Sequence, residues 1–334
     1  MTVRRRKPDS PLEEKVPGKP SAKSFGGRLS SCVKEALPGA LKTMWWVIRI
    51  TATVSVVIYI LRLTGALPWI SRSLEPVMSF IGLPGEASLA YVSGYFVNVY
   101  SAIAASASLN LSARSVTILA VLVLCSHNMI VETAVQKKTG SSAVWIVLER
   151  TFGGLLLAFV LNRILPYEAQ GTIGQVATEQ ITLASSIGPW ALSLLKLCLK
   201  MSVLILLLSV IQQILNEFGI MKVLTDVIRW PLKLFGLPSD TSFLWIVANT
   251  LGLAYGAAVM FQEKEKGRIS DRDIQLLNTH ICISHSNIED LILFVSVGGI
   301  WWVILLSRWA LSLLLVWMQR LVFHIRDRFT KFAG

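Results

Sequence analysis

Long apolar stretches dominate this 334-residue sequence. About 20 apolar residues in a helix suffice to cross the hydrocarbon core of a bilayer. Five stretches reach or approach that length, at residues 44–61, 116–131, 144–165, 191–215 and 298–317. Residues 85–108 and 240–262 are also membrane-like but are rich in Gly, Ala, Ser and Asn, so they either span or fold back as hairpins. The pattern predicts an all-α polytopic membrane protein.

Composition agrees with a membrane location. Hydrophobic residues make up 53% of the chain and charged residues 16%, and the mean hydropathy is +0.59. The basic excess is concentrated in residues 1–43, which lack apolar periodicity and are predicted to form a disordered cytoplasmic tail. We expect this tail to contact anionic lipid or an acidic partner. The remaining basic residues are typical of cytoplasmic loops and not of nucleic-acid binding.

The sequence contains an internal repeat. FIGLPGEAS at 80–88 matches LFGLPSDTS at 234–242, with an offset of 154 residues. Residues 111–134 match 269–292 at an offset of 158, which pairs His127 with His285 and Glu132 with Asp290. We therefore predict membrane repeat 1 at residues 44–165, an extracytoplasmic connector at 166–190, and membrane repeat 2 at 191–334 with a short basic cytoplasmic C-terminus.

Basic residues are unevenly distributed between equivalent loops. Residues 222–233 carry three Lys or Arg where 68–79 carry one, and 264–272 carry four where 110–114 carry one. Cytoplasmic loops are enriched in Lys and Arg, so this difference favours a second repeat inverted relative to the first. Each repeat then has about three transmembrane helices plus a re-entrant helical hairpin. Both termini are expected in the cytoplasm, and the protein in a bacterial inner (cytoplasmic) membrane.

Polar residues inside the predicted membrane segments are the candidate site, because burying them in hydrocarbon is costly. Glu132 and Asp290 follow their histidines by five residues, about 140° around a regular helix. They can share a site with the histidines only if the helix unwinds near Asn128 and Ser286. The candidate substrate-binding residues are His127, Asn128, Glu132, His285, Ser286, Glu289, Asp290, Asn98, Asn249 and Tyr95.

A metal site is the alternative use of these residues, with His127, His285, Glu132 and Asp290 as ligands. The other alternative is structural: the histidines bond to neighbouring helices and the acids lie at helix ends. Ser126 and Ser284 directly precede the histidines and would point away from them on a helix, so we expect no enzyme. No cofactor is expected, H⁺ or Na⁺ is a candidate coupling ion, and a homo-oligomer is left open.

The Gly-Leu-Pro blocks, the small-residue segments and the polar stretches SHNMIVE and SHSNIED resemble the nucleoside recognition, or Gate, family. That family includes spore maturation membrane proteins and the membrane part of bacterial ferrous-iron permeases. The resemblance covers residues 75–165 and 229–318, and it implies a transporter-like core with re-entrant hairpins and a central site. A Gly-x-x-x-x-Gly-Lys-Ser/Thr phosphate loop, as in the iron permeases, does not occur in this sequence.

The resemblance leaves the substrate open. We expect a secondary membrane transporter that moves a small polar, nucleoside-like solute through a midplane site between the two repeats. A divalent metal permease is the first alternative. A membrane scaffold or assembly protein that transports nothing is the second.

Overall fold

A computed structural model describes residues 25–64, 66–107, 109, 111–166, 183–250, 252–265 and 267–332. Within these residues the chain forms helices and no strands, which confirms the predicted all-α fold. The first set of helices is α1 (Phe25–Leu63), α2 (Ala66–Phe80), α3 (Ala87–Phe96), α4 (Val99–Ala107), α5 (Ala113–Ser126), α6 (Met129–Lys138) and α7 (Ala143–Ile164). The second set is α8 (Leu183–Glu217), α9 (Ile220–Leu234), α10 (Ser242–Thr250), α11 (Leu253–Glu265), α12 (Asp271–Ser284), α13 (Glu289–Ser296) and α14 (Trp301–Phe332).

Four helical segments are long and apolar enough to cross a membrane. They are Ala113–Lys138, which combines α5 and α6, Ala143–Ile164, Ile187–Leu215 and Trp301–Phe329. These segments correspond to four of the five predicted spans, so the protein is an all-α membrane protein. The remaining predicted span, residues 44–61, forms the second half of α1.

Two helices extend beyond the predicted boundaries. Residues 25–43 were predicted to be disordered, yet α1 begins at Phe25. Contacts with α8 explain the difference, because Arg28 forms an ion pair with Glu217 at 3.0 Å and Gln213 donates to Glu35 at 2.7 Å. The helix α8 starts at Leu183, eight residues before the predicted start of the second repeat at 191. The rest of the predicted tail (1–24) and connector (167–182) lies outside the described residues.

The ambiguous segments are helical hairpins. Their four helices contain between 9 and 13 residues, or roughly 14–20 Å of length against a hydrocarbon core of about 30 Å. A Cβ atom added to Gly94 of α3 would lie 2.9 Å from Cβ of Ala102 in α4. In the second hairpin the same contact joins Ala248 and Gly256, also at 2.9 Å. Each segment therefore folds back on itself.

Backbone features recur at the offsets of the sequence repeat. Gly82 and Gly236 have φ angles of 75° and 73°, and Gly140 and Gly298 have 107° and 109°. These angles favour glycine, since a Cβ atom is strained there. The two copies thus share local backbone structure as well as sequence. Their inversion relative to the membrane stays a prediction.

The helices α5 and α12 form the centre of the molecule. Nearly every residue of α5 from Arg114 to Ser126 is buried, as are most residues of α12 from Ile274 to Ser284. The helices α7 and α14 pack against both of them. Because α5 and α12 also contact each other, their carboxyl ends bring the equivalent polar segments of the two copies together.

Candidate functional site

Both central helices are interrupted at the predicted place. The helix α5 ends at Ser126 and α6 begins at Met129, while α12 ends at Ser284 and α13 begins at Glu289. Asn128 and Ser286 adopt left-handed backbone angles, with φ of 48° and 50°. These are costly for residues other than glycine and require support from the surroundings.

The hairpins supply part of that support. The backbone N–H of Asn128 donates to the carbonyl of Gly94 at 2.9 Å, and that of Ser286 donates to the carbonyl of Ala248 at 3.4 Å. Gly94 and Ala248 are the equivalent residues that make the close contacts inside the hairpins. Each hairpin therefore holds the break of its own copy.

Two buried arginines complete the breaks. Arg150 Nε donates to the carbonyl of Cys125 at 2.9 Å, and its Nη2 donates to the carbonyl of His127 at 2.7 Å. Arg308 makes the equivalent bonds to Ile283 and His285, both at 2.9 Å. The last carbonyls of a helix have no partner within the helix, so the guanidinium groups satisfy them where the chain turns. Both arginines are fully buried.

The breaks bring four of the predicted residues into one buried cluster. His127 Nε2 lies 3.1 Å from Glu132 Oε1 and 3.6 Å from Asp290 Oδ2. His285 Nε2 lies 3.3 Å from Glu132 Oε2, and the two imidazole rings are 5.1 Å apart. Arg150 Nη2 lies 2.7 Å from Glu132 Oε2. We call His127, Glu132, His285 and Asp290 the central cluster.

The hydrogen bonds of His285 fix which nitrogen carries hydrogen. Its Nδ1 lies 2.7 Å from the carbonyl of Ile281, and a carbonyl only accepts, so Nδ1 donates. In the neutral ring Nε2 then carries a lone pair, and it has no hydrogen-bond partner among the described residues. This lone pair faces the carboxylate of Glu132. Two acceptors at 3.3 Å repel each other unless a proton or a metal ion lies between them.

The cluster has the donor set of a transition-metal site. One ligand atom from each of His127, Glu132 and His285 can be chosen so that all three lie within 4.8 Å of one another. Metal–nitrogen and metal–oxygen bonds of about 2.0–2.2 Å place tetrahedral ligands roughly 3.4 Å apart. The Asp290 carboxylate, close to His127, is a fourth donor. Small side-chain movements would therefore complete the coordination.

The other predicted residues lie outside the central cluster. The hydroxyl of Tyr100 donates to Glu289, so Glu289 faces the first hairpin and not His285. Asn98 Oδ1 accepts from the backbone N–H of Ser101 at 3.0 Å and caps α4. Asn128 and Ser286 contribute their backbone to the breaks.

Asn249 and Tyr95 have structural partners as well. Asn249 donates to the carbonyl of Trp245 at 2.9 Å and accepts from Asn287 at 2.6 Å. The hydroxyls of Tyr95 and Thr151 are 3.0 Å apart. Asn287 also accepts from Arg308 at 3.1 Å, and the sequence reasoning missed it because its counterpart in the first copy is Met129.

The chain is similar to known membrane proteins. The family model described as nucleoside recognition, Gate, matches residues 44–141. The uncharacterized membrane protein YvoD of Bacillus subtilis (strain 168) is 30% identical over 283 residues, which cover 84% of this chain and 91% of YvoD. No solved structure matches.

Proposed function

Since the chain belongs to the nucleoside recognition (Gate) family of membrane proteins, we propose that it is a secondary transporter whose central cluster binds a divalent metal ion as substrate. The observation that carries the proposal is the lone pair of His285 Nε2 facing Glu132 Oε2 at 3.3 Å. A divalent cation between these atoms removes their repulsion and uses imidazole and carboxylate ligands together.

The dimensions of the cluster favour a metal ion over an organic solute. The imidazole rings are 5.1 Å apart, and each of the four residues is more than nine-tenths buried. A nucleoside would have to separate these groups, whereas an ion fits between donor atoms that already converge. The sequence favoured a small polar solute over a metal ion as the substrate, because it counted Asn98, Asn249 and Tyr95 as solute contacts. The present proposal reverses that order.

Arg150 and Arg308 suit a site that must also release its ion. A transported ion has to bind strongly enough to enter the site and weakly enough to leave it. The guanidinium of Arg150, 2.7 Å from Glu132, offsets one carboxylate charge and lowers the affinity for a cation. The arginines also bond to the broken helix ends, so movement of α7 or α14 would change the ligand geometry.

A nucleoside-like solute is the second candidate function. The description of the matching family as nucleoside recognition favours it. Such a solute would need hydrogen-bonding groups and aromatic faces. Tyr95 and Asn249 provide these if the hairpins move apart from the breaks.

Transport of Mn²⁺ into proteoliposomes tests the proposal. The wild-type protein is expected to carry Mn²⁺, and His285→Ala to abolish the flux. His324→Ala is the matched control, because His324 is exposed on α14 and makes no contact with the central cluster. The absence of Mn²⁺ flux through a folded wild-type protein contradicts the proposal.

Thermal unfolding of the purified protein distinguishes the two substrates. A ligand at about 100 times its dissociation constant stabilises the folded state by about 2.7 kcal/mol. We expect Mn²⁺ to raise the Tm of the wild type and of His324→Ala but not of His285→Ala. Stabilisation by uridine or adenosine, with no response to Mn²⁺, Fe²⁺ or Zn²⁺, supports the second candidate.

A further inference from the structure

A cavity lined by both polar and apolar residues lies beside the central helices. Its volume is about 390 Å³. Its polar lining residues include Ser142, which caps α7, Glu149 of α7, Gln275, Asn278 and Thr279 of α12, and Gln319 of α14. Glu149 is the only charged side chain among the described residues that line it. A carboxylate within a membrane-spanning helix is costly and is by default a functional group.

The equivalent positions on the other side of the repeat are less polar. At the offset of 158, Asn278 corresponds to Ala120, Thr279 to Val121 and Glu149 to Ser307. Ala120 and Val121 are completely buried in the apolar core around α5. Apolar residues such as these would have served equally well for packing α12. The amide of Asn278, the hydroxyl of Thr279 and the carboxylate of Glu149 therefore favour hydration of this cavity.

Two buried side-chain oxygens near the cavity have no hydrogen-bond partner among the described residues. Asn278 uses its Nδ2 to donate to Thr139 and Ser141, at 2.7 and 2.8 Å, and its Oδ1 is left without a partner. Gln136 donates to the carbonyl of Asn278 at 3.3 Å, and its Oε1 is also unpartnered. Buried polar atoms cost free energy unless water or an ion satisfies them.

The polar face of α12 leads from the cavity to the central cluster. Gln275, Asn278 and Cys282 follow one another at spacings of three and four, which places them along one helix face, and His285 follows three residues later, directly after α12 ends. Exposure decreases in that direction, from half-buried Gln275 to fully buried Cys282. Six residues separate Thr279 from His285, or about 9 Å along a helix.

Glu149 lies at the inner part of this path. The thiol of Cys282 donates to Glu149 Oε2 at 3.6 Å. One turn further along α7, a Cβ atom at Gly153 would lie 3.3 Å from Ile283 Cδ1, so the helices close together there. The next residue after Glu149, Arg150, binds the central cluster. The cavity thus ends nearly two helical turns short of His285.

We propose that this cavity is the access path of a cation to the central cluster, and that Glu149 is the carboxylate that receives the cation first. This inference rests on the proposed function, since it assigns a route to the same site. A Cβ atom added to the lining residue Gly140 would lie 3.3 Å from Lys264 Nζ, so the cavity adjoins the basic residues 264–272, the side predicted to be cytoplasmic. Closure between Gly153 and Ile283 separates the cavity from the cluster until the helices move.

Cysteine labelling tests whether the cavity admits water. Thr279→Cys and its counterpart Val121→Cys are made in a background in which the four cysteines are replaced by alanine. A membrane-impermeant methanethiosulfonate reagent is expected to modify the cysteine at 279 about tenfold faster than that at 121, because thiol reactivity requires access. Gln275→Cys and Thr117→Cys form a second equivalent pair should the first not fold. Equal rates within both pairs overturn the access path.

Substitution of Glu149 tests its role. Removing one charge from a narrow path is expected to lower the Mn²⁺ flux about tenfold in Glu149→Gln. The Mn²⁺-induced rise in Tm should be unchanged, because the central cluster is intact. The counterpart Ser307→Ala is the control and should leave the flux unchanged. Wild-type flux in Glu149→Gln overturns the role of Glu149.

The two experiments separate this inference from the proposed function. If the wild type carries no Mn²⁺, the proposed function fails and with it the cation route. The labelling rates still decide whether the cavity is hydrated, independently of any cargo. Mn²⁺ flux with equal labelling rates overturns the access path alone, whereas faster labelling at 279 without Mn²⁺ flux assigns the cavity to another solute and overturns the proposed function as well.

Discussion

Gly94 and Ala102 pack so closely that a Cβ atom on Gly94 would lie 2.9 Å from Cβ of Ala102. In the second hairpin the equivalent positions are Ala248 and Gly256, and the same distance recurs with alanine and glycine exchanged. One of the two positions must therefore be glycine in each hairpin, and either order suffices. The contact lies directly behind the helix breaks, since the carbonyls of Gly94 and Ala248 accept from Asn128 and Ser286.

This exchange predicts a rescue experiment. Gly94→Ala overpacks the first hairpin and should cost about 1–3 kcal/mol of stability. The double variant Gly94→Ala with Ala102→Gly reproduces the order of the second hairpin and should recover most of the loss. Thermal unfolding in detergent measures both effects. A double variant less stable than Gly94→Ala alone would contradict the predicted reciprocity. The strain would then come from Val123, whose Cγ1 also lies 3.0 Å from the added Cβ atom.

The arginines at the breaks predict a second effect on stability. Arg150→Ala leaves the carbonyls of Cys125 and His127 without their donor and removes the partner of Glu132, at a cost of about 3–5 kcal/mol. Arg163→Ala, on the exposed side of the same helix, should change the Tm little. Arg150→Lys should also be unstable, because an ammonium cannot reproduce the fixed fork of the guanidinium. Wild-type Tm in Arg150→Lys would show that the breaks do not need this geometry.

Metal binding by the central cluster predicts a dependence on pH. Imidazole and carboxylate ligands must lose their protons before they bind a metal, so protons compete with the ion. The rise in Tm caused by Mn²⁺ should therefore be larger at about pH 7.5 than at about pH 5.5, where histidine is generally charged. Each value is taken relative to the metal-free protein at the same pH. An equal rise at both values would exclude His127 and His285 as ligands.

Inversion of the two repeats predicts the location of the connector. With three crossings in each copy, both termini lie in the cytoplasm and the connector at 166–190 lies outside. Gly171→Cys, in the alanine background, should be modified by an impermeant thiol reagent added to intact cells. Gln275→Cys should be modified only from the cytoplasmic side, because α12 begins beside the basic residues 264–272. Labelling of position 171 from the cytoplasm would contradict inversion.

The sequence predicted the membrane class, the internal repeat and the place of both helix breaks. Apolar runs of about 20 residues have few stable structures other than spanning helices, because backbone groups in lipid must bond within the helix. The breaks followed from a geometric requirement, since Glu132 and Asp290 cannot reach the histidines on a regular helix. Both predictions depend on local periodicity, which a single sequence carries.

The hydrogen-bond and ion-pair partners of the polar side chains were decided only by the tertiary structure. Asn98, Asn249 and Tyr95 have the residue types of a solute site, but the fold gives their polar groups to a helix cap, to Asn287 and to Thr151. The same applies to residues 25–43, whose helix depends on contacts with α8 nearly 190 positions away. Hydrogen bonds and ion pairs between distant residues are set by how helices pack. A periodicity of 3.6 residues describes one helix and contains no information on which helix lies beside it.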